Sequence, residues 1–250
     1  MTENLTKNDF LNGRVRLWQP KGGYRAGVDP VLLAASIPAK PGNLVLELGC
    51  GAGAAFMCLA ARVQGLVCHG VEMQDTYAAL ARQNAAENHT DATIWGSDIA
   101  DLPADLRHMQ FDHVFANPPY FDRAASTAAH DPGRDFAMGE GTALAVWVAV
   151  AAKRLAAKGT ATFIHRAERL PELLSLMQTK LGSLEVLPLQ PRVGKDAGLV
   201  LVRGRKGGRA AFRLHAPVML HEGEKHISDG ESYTPQIRAV LRDGAPLPFA

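Results

Sequence analysis

The chain has 250 residues, of which 47% are hydrophobic and 21% charged, with a formal net charge of +2. This predicts a globular protein with a full core, and no internal repeat or low-complexity tract argues otherwise. The Met1-Thr2-Glu3-Asn4 start is not a signal peptide, the apolar run from Ala143 to Ala152 is too short to cross a bilayer, and the three cysteines and nine histidines fit no metal or haem spacing. A reducing, cytoplasmic setting with no membrane and no metal is the expectation.

Residues 1–40 read as an N-terminal preface, with a turn at Gly22-Gly23 and a short helix from Pro30 to Ala35 that has proline in its first turn. From residue 41 to 250 strands and helices alternate. Strands are predicted at Leu44 to Leu48, Leu66 to Val71, Thr93 to Trp95, His113 to Ala116, Thr160 to His165, Leu184 to Pro188 and Leu199 to Gly204. Helices are predicted at Ala54 to Ala61, Asp75 to Glu87, Thr142 to Lys158 with Gly159 as its stop, and Leu170 to Leu181. The segment from Phe212 to His215 reads as an extra strand. Seven strands interleaved with helices imply an α/β fold with a mostly parallel sheet flanked by helices, whose ligands bind beyond the carboxyl ends of the strands. Glu47 to Gly53, Glu72, Asp98 and Asn117 all fall on that rim.

The segment Glu47-Leu48-Gly49-Cys50-Gly51-Ala52-Gly53-Ala54 joins the first of these strands to a helix, and its glycines permit a tight turn and close approach of a ligand. Gly49, Gly51 and Ala54 satisfy the dinucleotide pattern, and Glu72 follows Gly49 by 23 residues, so an NAD-dependent oxidoreductase is one reading. Glu47 favours another. A carboxylate beside the loop repels a pyrophosphate but suits the sulfonium and α-ammonium of S-adenosylmethionine. On that reading Glu72 accepts from the ribose hydroxyls, Met73 lies against the adenine ring, and Asp98, followed by Ile99, accepts from the adenine amino group. For Asp98 an N-cap or Asx turn is the competing structural reading.

Asn117-Pro118-Pro119-Tyr120 follows the fourth strand directly. A planar amino nitrogen is a poor nucleophile because its lone pair is delocalised. The Asn117 side-chain oxygen and the Pro118 carbonyl can accept its two N–H groups and aim the lone pair at a methyl. Pro118 and Pro119 fix φ and remove competing donors. Tyr120, extended by Phe121, offers a face on which a flipped base can stack. The tetrapeptide alone leaves adenine and glutamine nitrogens equally open as targets.

Together these residues resemble the class I N-methyltransferases that carry Asn/Asp-Pro-Pro-Tyr/Phe. Gly23-Tyr24-Arg25-Ala26-Gly27-Val28-Asp29-Pro30-Val31-Leu32-Leu33, Ala116 to Phe121, and Tyr233-Thr234-Pro235-Gln236-Ile237 are similar to one branch: the bacterial tRNA adenine-N6 methyltransferases that modify the purine beside the anticodon of a valine tRNA. The resemblance implies a Rossmann-like class I methyltransferase fold, with S-adenosylmethionine held by Glu47, Gly49, Cys50, Gly51, Gly53, Glu72, Met73, Asp98, Ile99 and Asn117. It also implies that the preface closes over the methionine end through Arg25 and Asp29.

Release-factor glutamine methyltransferases share the tetrapeptide but usually carry a helical domain before the glycine loop, whereas about 43 residues precede it here. A basic stretch that includes Arg192, Lys195, Arg203, Arg205 and Lys206 favours RNA, with tRNA as the partner. A different amino-bearing RNA base, adenine in DNA, and a non-catalytic RNA-binding protein on the same fold stay open. His130 and Arg134, with Arg123, lie on the loop after the tetrapeptide. His165, at a strand end, reads as structural.

Overall fold

The computed structural model describes residues 4–120, 142–223 and 232–249. It opens with an antiparallel hairpin of β1 (Leu5–Phe10) and β2 (Val15–Pro20). In β2, Val15, Leu17 and Gln19 are buried while Arg16 is exposed, the alternation of a strand with one covered face. The preface helix α1 (Asp29–Ser36) has Pro30 in its first turn and is buried from Pro30 to Ser36.

The strand–helix series then runs β3 (Leu44–Leu48), α2 (Ala54–Arg62), β4 (Val67–Glu72), α3 (Asp75–Glu87), β5 (Ala92–Gly96), α4 (Ala104–His108), β6 (Phe111–Ala116), α5 (Leu144–Arg154), β7 (Leu155–Arg166), α6 (Leu170–Gln178), β8 (Gly182–Gln190) and β9 (Leu199–Arg205). Two-residue strands β10 (Arg213–Leu214) and β11 (Val218–Met219) both join β8, and α7 (Pro235–Arg238) follows. The sheet therefore has nine strands, not seven, in the order β10-β8-β9-β7-β6-β3-β4-β5 with β11 also on β8. All pairings are parallel except those of β9 with β7 and β8. The chain works outward from β3 through β4 to β5, then restarts at β6 on the other side of β3. The crevice of such a sheet opens where that order reverses, above β3 and β6.

Alternate residues of each strand feed two cores. Val45 and Phe115 face a cluster with Leu33, Phe56 and Leu59, while Leu46 and Val114 face one with Val148, Phe163 and Leu173. The preface is stitched to the series by two asparagines one turn apart, Asn84 on α3 and Asn88 at its C-cap. Asn84 exchanges hydrogen bonds with the Trp18 N–H and carbonyl (2.8 and 3.0 Å), and Asn88 does the same with Arg16 (2.8 and 2.7 Å). These side chains satisfy the outer edge of β2 as a neighbouring strand would.

Two helices end three or more residues short of the sequence expectation. The helix expected to reach Lys158 ends at Arg154, whose guanidinium caps the carbonyls of Leu106, Arg107 and Met109. From Leu155 the chain is already β7, paired to Phe111 of β6. Gly159 is no helix stop: a Cβ there would lie 2.9 Å from the Asp112 carbonyl oxygen, so it is a site of close strand approach. The second helix, expected to reach Leu181, ends at Gln178.

The basic stretch is divided by the direction of β9. Arg192 and Lys195 lie in the β8–β9 connection, at the carboxyl rim near Arg166 and Leu189. Arg205 pairs with Thr160 and Gly182 at the opposite end of the sheet, roughly 20 Å away. Arg203 is not a free cation: it donates two hydrogen bonds to Glu185 (2.7 and 3.0 Å) and stacks on Phe249 at 4.1 Å. Lys206 donates to the Leu155 carbonyl and Arg205 to that of Lys158. Arg192 binds the Glu222 carbonyl and Ser232 Oγ. Arg203, Arg205 and Lys206 therefore do not share one surface patch with Arg192 and Lys195. Arg203→Ala will cost about 2–3 kcal/mol in urea unfolding, because Glu185 is left half-buried and short of its main partner.

Candidate active site

The crevice above β3 and β6 holds a cavity of about 250 Å³. Its floor is the loop after β3. Gly49, Gly51 and Gly53 all have positive φ (64°, 53° and 93°), a region that L side chains rarely enter. Gly49 is needed for a second reason, since a Cβ there would meet the Trp147 ring at 2.5 Å.

Backbone hydrogen bonds and two acids fix the loop. The Cys50 N–H donates to the Val71 carbonyl (2.9 Å). Glu72, at the end of β4, accepts from the Gly51 N–H (2.8 Å) through one oxygen and from the Gln74 N–H (2.9 Å) through the other. Glu47, at the end of β3, accepts from the Phe56 N–H at 2.9 Å. Glu47 and Glu72 are 4% and 7% exposed, so both are removed from water. Burial raises both carboxyls above the usual carboxylate range; the backbone N–H groups pull against it, and Glu72 raises Glu47 further. No cation offsets either acid among the described residues, so the site has a place for a positively charged ligand. Cys50 lines the cavity as a neutral thiol, its pKa raised by burial first and by the two acids second.

Glu47, Gly49, Cys50, Gly51, Glu72, Met73, Asp98, Ile99 and Asn117 all line this one cavity. Asp98 also caps the 3-10 turn Ile99–Asp101, with Oδ1 accepting from the Ala100 N–H at 2.8 Å; the capping and cavity readings of this residue hold together. Gly53 is not in the lining and turns the chain into α2 as its N-cap.

Asn117 to Tyr120, which follow β6, line the same cavity as the acids. The side-chain oxygen of Asn117 is buried and, among the described residues, accepts no hydrogen bond. An acceptor in that state costs roughly 1–3 kcal/mol, so it is a position waiting for a donor. Tyr120 donates to Asp29 Oδ2 at 2.7 Å. Its ring lies 5.5 Å from that of His165, tilted by 42°. His165 is fully buried, its Nδ1 accepts from the Arg166 N–H (2.8 Å), and burial lowers its pKa to about 4, so it is a neutral floor beneath the tyrosine.

Asp29 lines the cavity but Arg25 does not. Its guanidinium donates to Thr6 Oγ1, Asn8 Oδ1 and the Pro20 carbonyl, so it fastens the hairpin. Phe121, Arg123, His130 and Arg134 lie outside the described residues. Among the described residues no group of three or more His, Cys, Asp or Glu is arranged to hold a metal ion. The sequence reading missed Gln19, Tyr24, Tyr77, Thr142 and Trp147 as lining residues. Tyr24 was visible within the preface motif. It faces Asp29, Glu47 and Asn117, and burial, then these acids, keep its phenol protonated. Trp147 sits in a run that reads as ordinary core.

Two outcomes follow from this geometry. Gly49→Ala will destabilise the protein by about 2 kcal/mol or more in thermal unfolding, from backbone strain plus collision with Trp147. His165 is held neutral by a folded pKa of about 4 against an ordinary 6.5. Its contribution to stability is therefore whole above pH 6.5 and drains away as pH falls towards 4. The advantage of wild type over His165→Gln in urea unfolding will shrink by about 2–3 kcal/mol between pH 7 and pH 4.5.

Comparison with known proteins fits this site. Residues 26–188 match the methyltransferase small domain family. A Yersinia enterocolitica protein named tRNA1(Val) (adenine(37)-N6)-methyltransferase is 33% identical over 144 residues, which cover 54% of this chain and 56% of that one. The match thus spans little more than half of that relative's length. A Shewanella baltica protein of the same name is 32% identical over 193 residues, covering 72% of this chain and 76% of that one. The crystal structure of a predicted O-methyltransferase from Agrobacterium tumefaciens superimposes with a TM-score of 0.71 at 26% identity, covering 88% of this chain and 98% of that one. With a family match over well over half its length and a relative of this identity and coverage, the chain belongs to the methyltransferase small domain family, in the branch of the tRNA1(Val) (adenine(37)-N6)-methyltransferases.

Proposed function

We propose that this chain transfers a methyl group from S-adenosylmethionine to the N6 amino group of an adenine in tRNA, in the cytoplasm. The observation that carries this reading is the buried Asn117 oxygen, unpartnered among the described residues, which shares one cavity with two buried carboxylates that no described cation neutralises. S-adenosylmethionine bound there supplies an electrophilic methyl on a cationic sulfonium.

The chain's own groups do the rest. Glu47 gives the methionine end a negative environment, with the preface residues Tyr24 and Asp29 facing it. Glu72 keeps lone pairs free beside its two backbone donors, and these accept ribose hydroxyls. Asp98 spends one oxygen on its cap and offers the other to an amino group. Met73 and Ile99 supply apolar contact for a purine. Across the cavity, Asn117 Oδ1 and the Pro118 carbonyl accept the two N–H groups of the target amine, so its lone pair points at the methyl, and Tyr120 stacks on the base. Catalysis is then positioning and electrostatics in a water-poor site. No strong general base is needed, because the methylated ammonium is acidic and releases its proton readily.

An adenine is preferred over a glutamine amide because the relatives bear tRNA names. The predicted O-methyl activity in the name of the Agrobacterium protein is not carried over. A hydroxyl substrate has one hydrogen and leaves the paired acceptors of Asn117 and Pro118 half used. Lys195, exposed on the connection at the cavity's own end of the sheet, is the cation proposed to meet the RNA backbone.

Asn117→Ala will lower kcat for methyl transfer by at least about 100-fold, as removal of a preorganised polar group does, while the Kd for S-adenosylmethionine moves less than about threefold. Radiolabelled methyl transfer and calorimetry check the two halves. Turnover close to wild type in that variant contradicts the mechanism.

A further inference from the structure

Stacking a base requires the face of an aromatic ring and nothing from its hydroxyl. Yet the Tyr120 hydroxyl is engaged: it donates to Asp29 Oδ2 at 2.7 Å across 91 residues of sequence. Asp29 begins α1, in the preface, and lines the same cavity as Glu47. Among the described residues its other oxygen makes no hydrogen bond or ion pair. The floor of the ring is fixed independently, because His165 is fully buried and anchored through Nδ1 to the Arg166 N–H. Among the described residues the hydroxyl end of Tyr120 is thus located by one group, Asp29, which lines the cavity together with Glu47.

We propose that Asp29 is a positioning residue shared by the two half-sites, holding the Tyr120 hydroxyl on one oxygen and the ammonium of the methyl donor on the other. The inference rests on the reading of the site given above. A carboxylate with a cation on its free oxygen loses rotamer freedom and becomes a fixed acceptor for Tyr120. The ring is then already ordered when a base arrives, so that ordering cost is not met a second time. By reciprocity, a base stacked on Tyr120 holds Asp29 ready for the cofactor. The two ligands therefore bind with positive coupling, and the preface is the element that carries it.

The test is calorimetry with S-adenosylhomocysteine, which keeps the ammonium and transfers no methyl, alone and with a saturating unmodified valine tRNA transcript. In wild type the transcript will tighten S-adenosylhomocysteine about three- to tenfold. In Tyr120→Phe, which keeps the ring on His165 and loses only the hydroxyl, the ratio will fall to about one; each variant serves as its own reference, so a general loss of affinity does not mimic the effect. A Tyr120→Phe variant that retains the wild-type ratio overturns the proposal. So does a wild-type ratio of one when both ligands bind, which leaves the proposed reaction standing. Wild type that binds S-adenosylhomocysteine but not the transcript overturns the tRNA reading and the coupling with it, and wild type that binds neither overturns the proposed reaction itself.

Discussion

The arrangement turns on two carboxylates buried at adjacent strand ends. Glu72 accepts the Gly51 N–H and Glu47 the Phe56 N–H, so the acids shape the glycine loop and start the helix after it. Each N–H satisfies a lone pair, but none supplies a positive charge, and the acids raise one another's energy. Two uncompensated buried acids weaken a fold taken alone. They make sense in a protein that is completed by a cation, whose binding recovers what folding gives up.

The second constraint is the preface. Asn84 is fully buried, pairs with the edge of β2, and also donates to the Ala52 carbonyl at 3.0 Å. One side chain thereby joins the hairpin, α3 and the glycine loop. Arg25 fastens the far side of the hairpin, and Tyr77 donates to the Tyr24 carbonyl at 3.0 Å. These ties deliver Tyr24 and Asp29 to the cavity from a segment that belongs to none of the repeating strand–helix units. The sheet itself places the acids after β3 and β4 and Asn117 after β6; the hydrogen bond from Tyr120 to Asp29 ties the preface to the segment that follows Asn117.

Much of this was legible in the sequence, for reasons that can be named. The helix from Asp75 to Glu87 and the strand from Leu44 to Leu48 were placed to the residue, because local pattern and punctuation agree there. The rim acids and Asn117 were found because each sits where an apolar run stops. The hairpin was missed because β1 carries Lys7, Asn8 and Asp9 and shows little apolar alternation; its edge is satisfied by asparagines some 70 residues away, a tertiary fact. The helix expected to run to Lys158 was misjudged because Leu155-Ala156-Ala157-Lys158 has good helical propensity, and pairing with β6 overrides it. The basic stretch was read as one surface because sequence does not reveal strand direction. β9 runs antiparallel and carries Arg205 to the other end of the sheet. Trp147 illustrates a general limit: an aromatic residue in an apolar setting reads as core until the fold shows that it borders a cavity.

The central claim is that the cavity joins a methyl donor to an adenine amino group in tRNA. The most direct measurement is radiolabelled methyl transfer by the purified protein to total tRNA from a strain lacking it, followed by nucleoside analysis. The proposed reaction predicts label in N6-methyladenosine, absent with Asn117→Ala. Label in another nucleoside, or no label in tRNA with transfer to a protein glutamine, contradicts it.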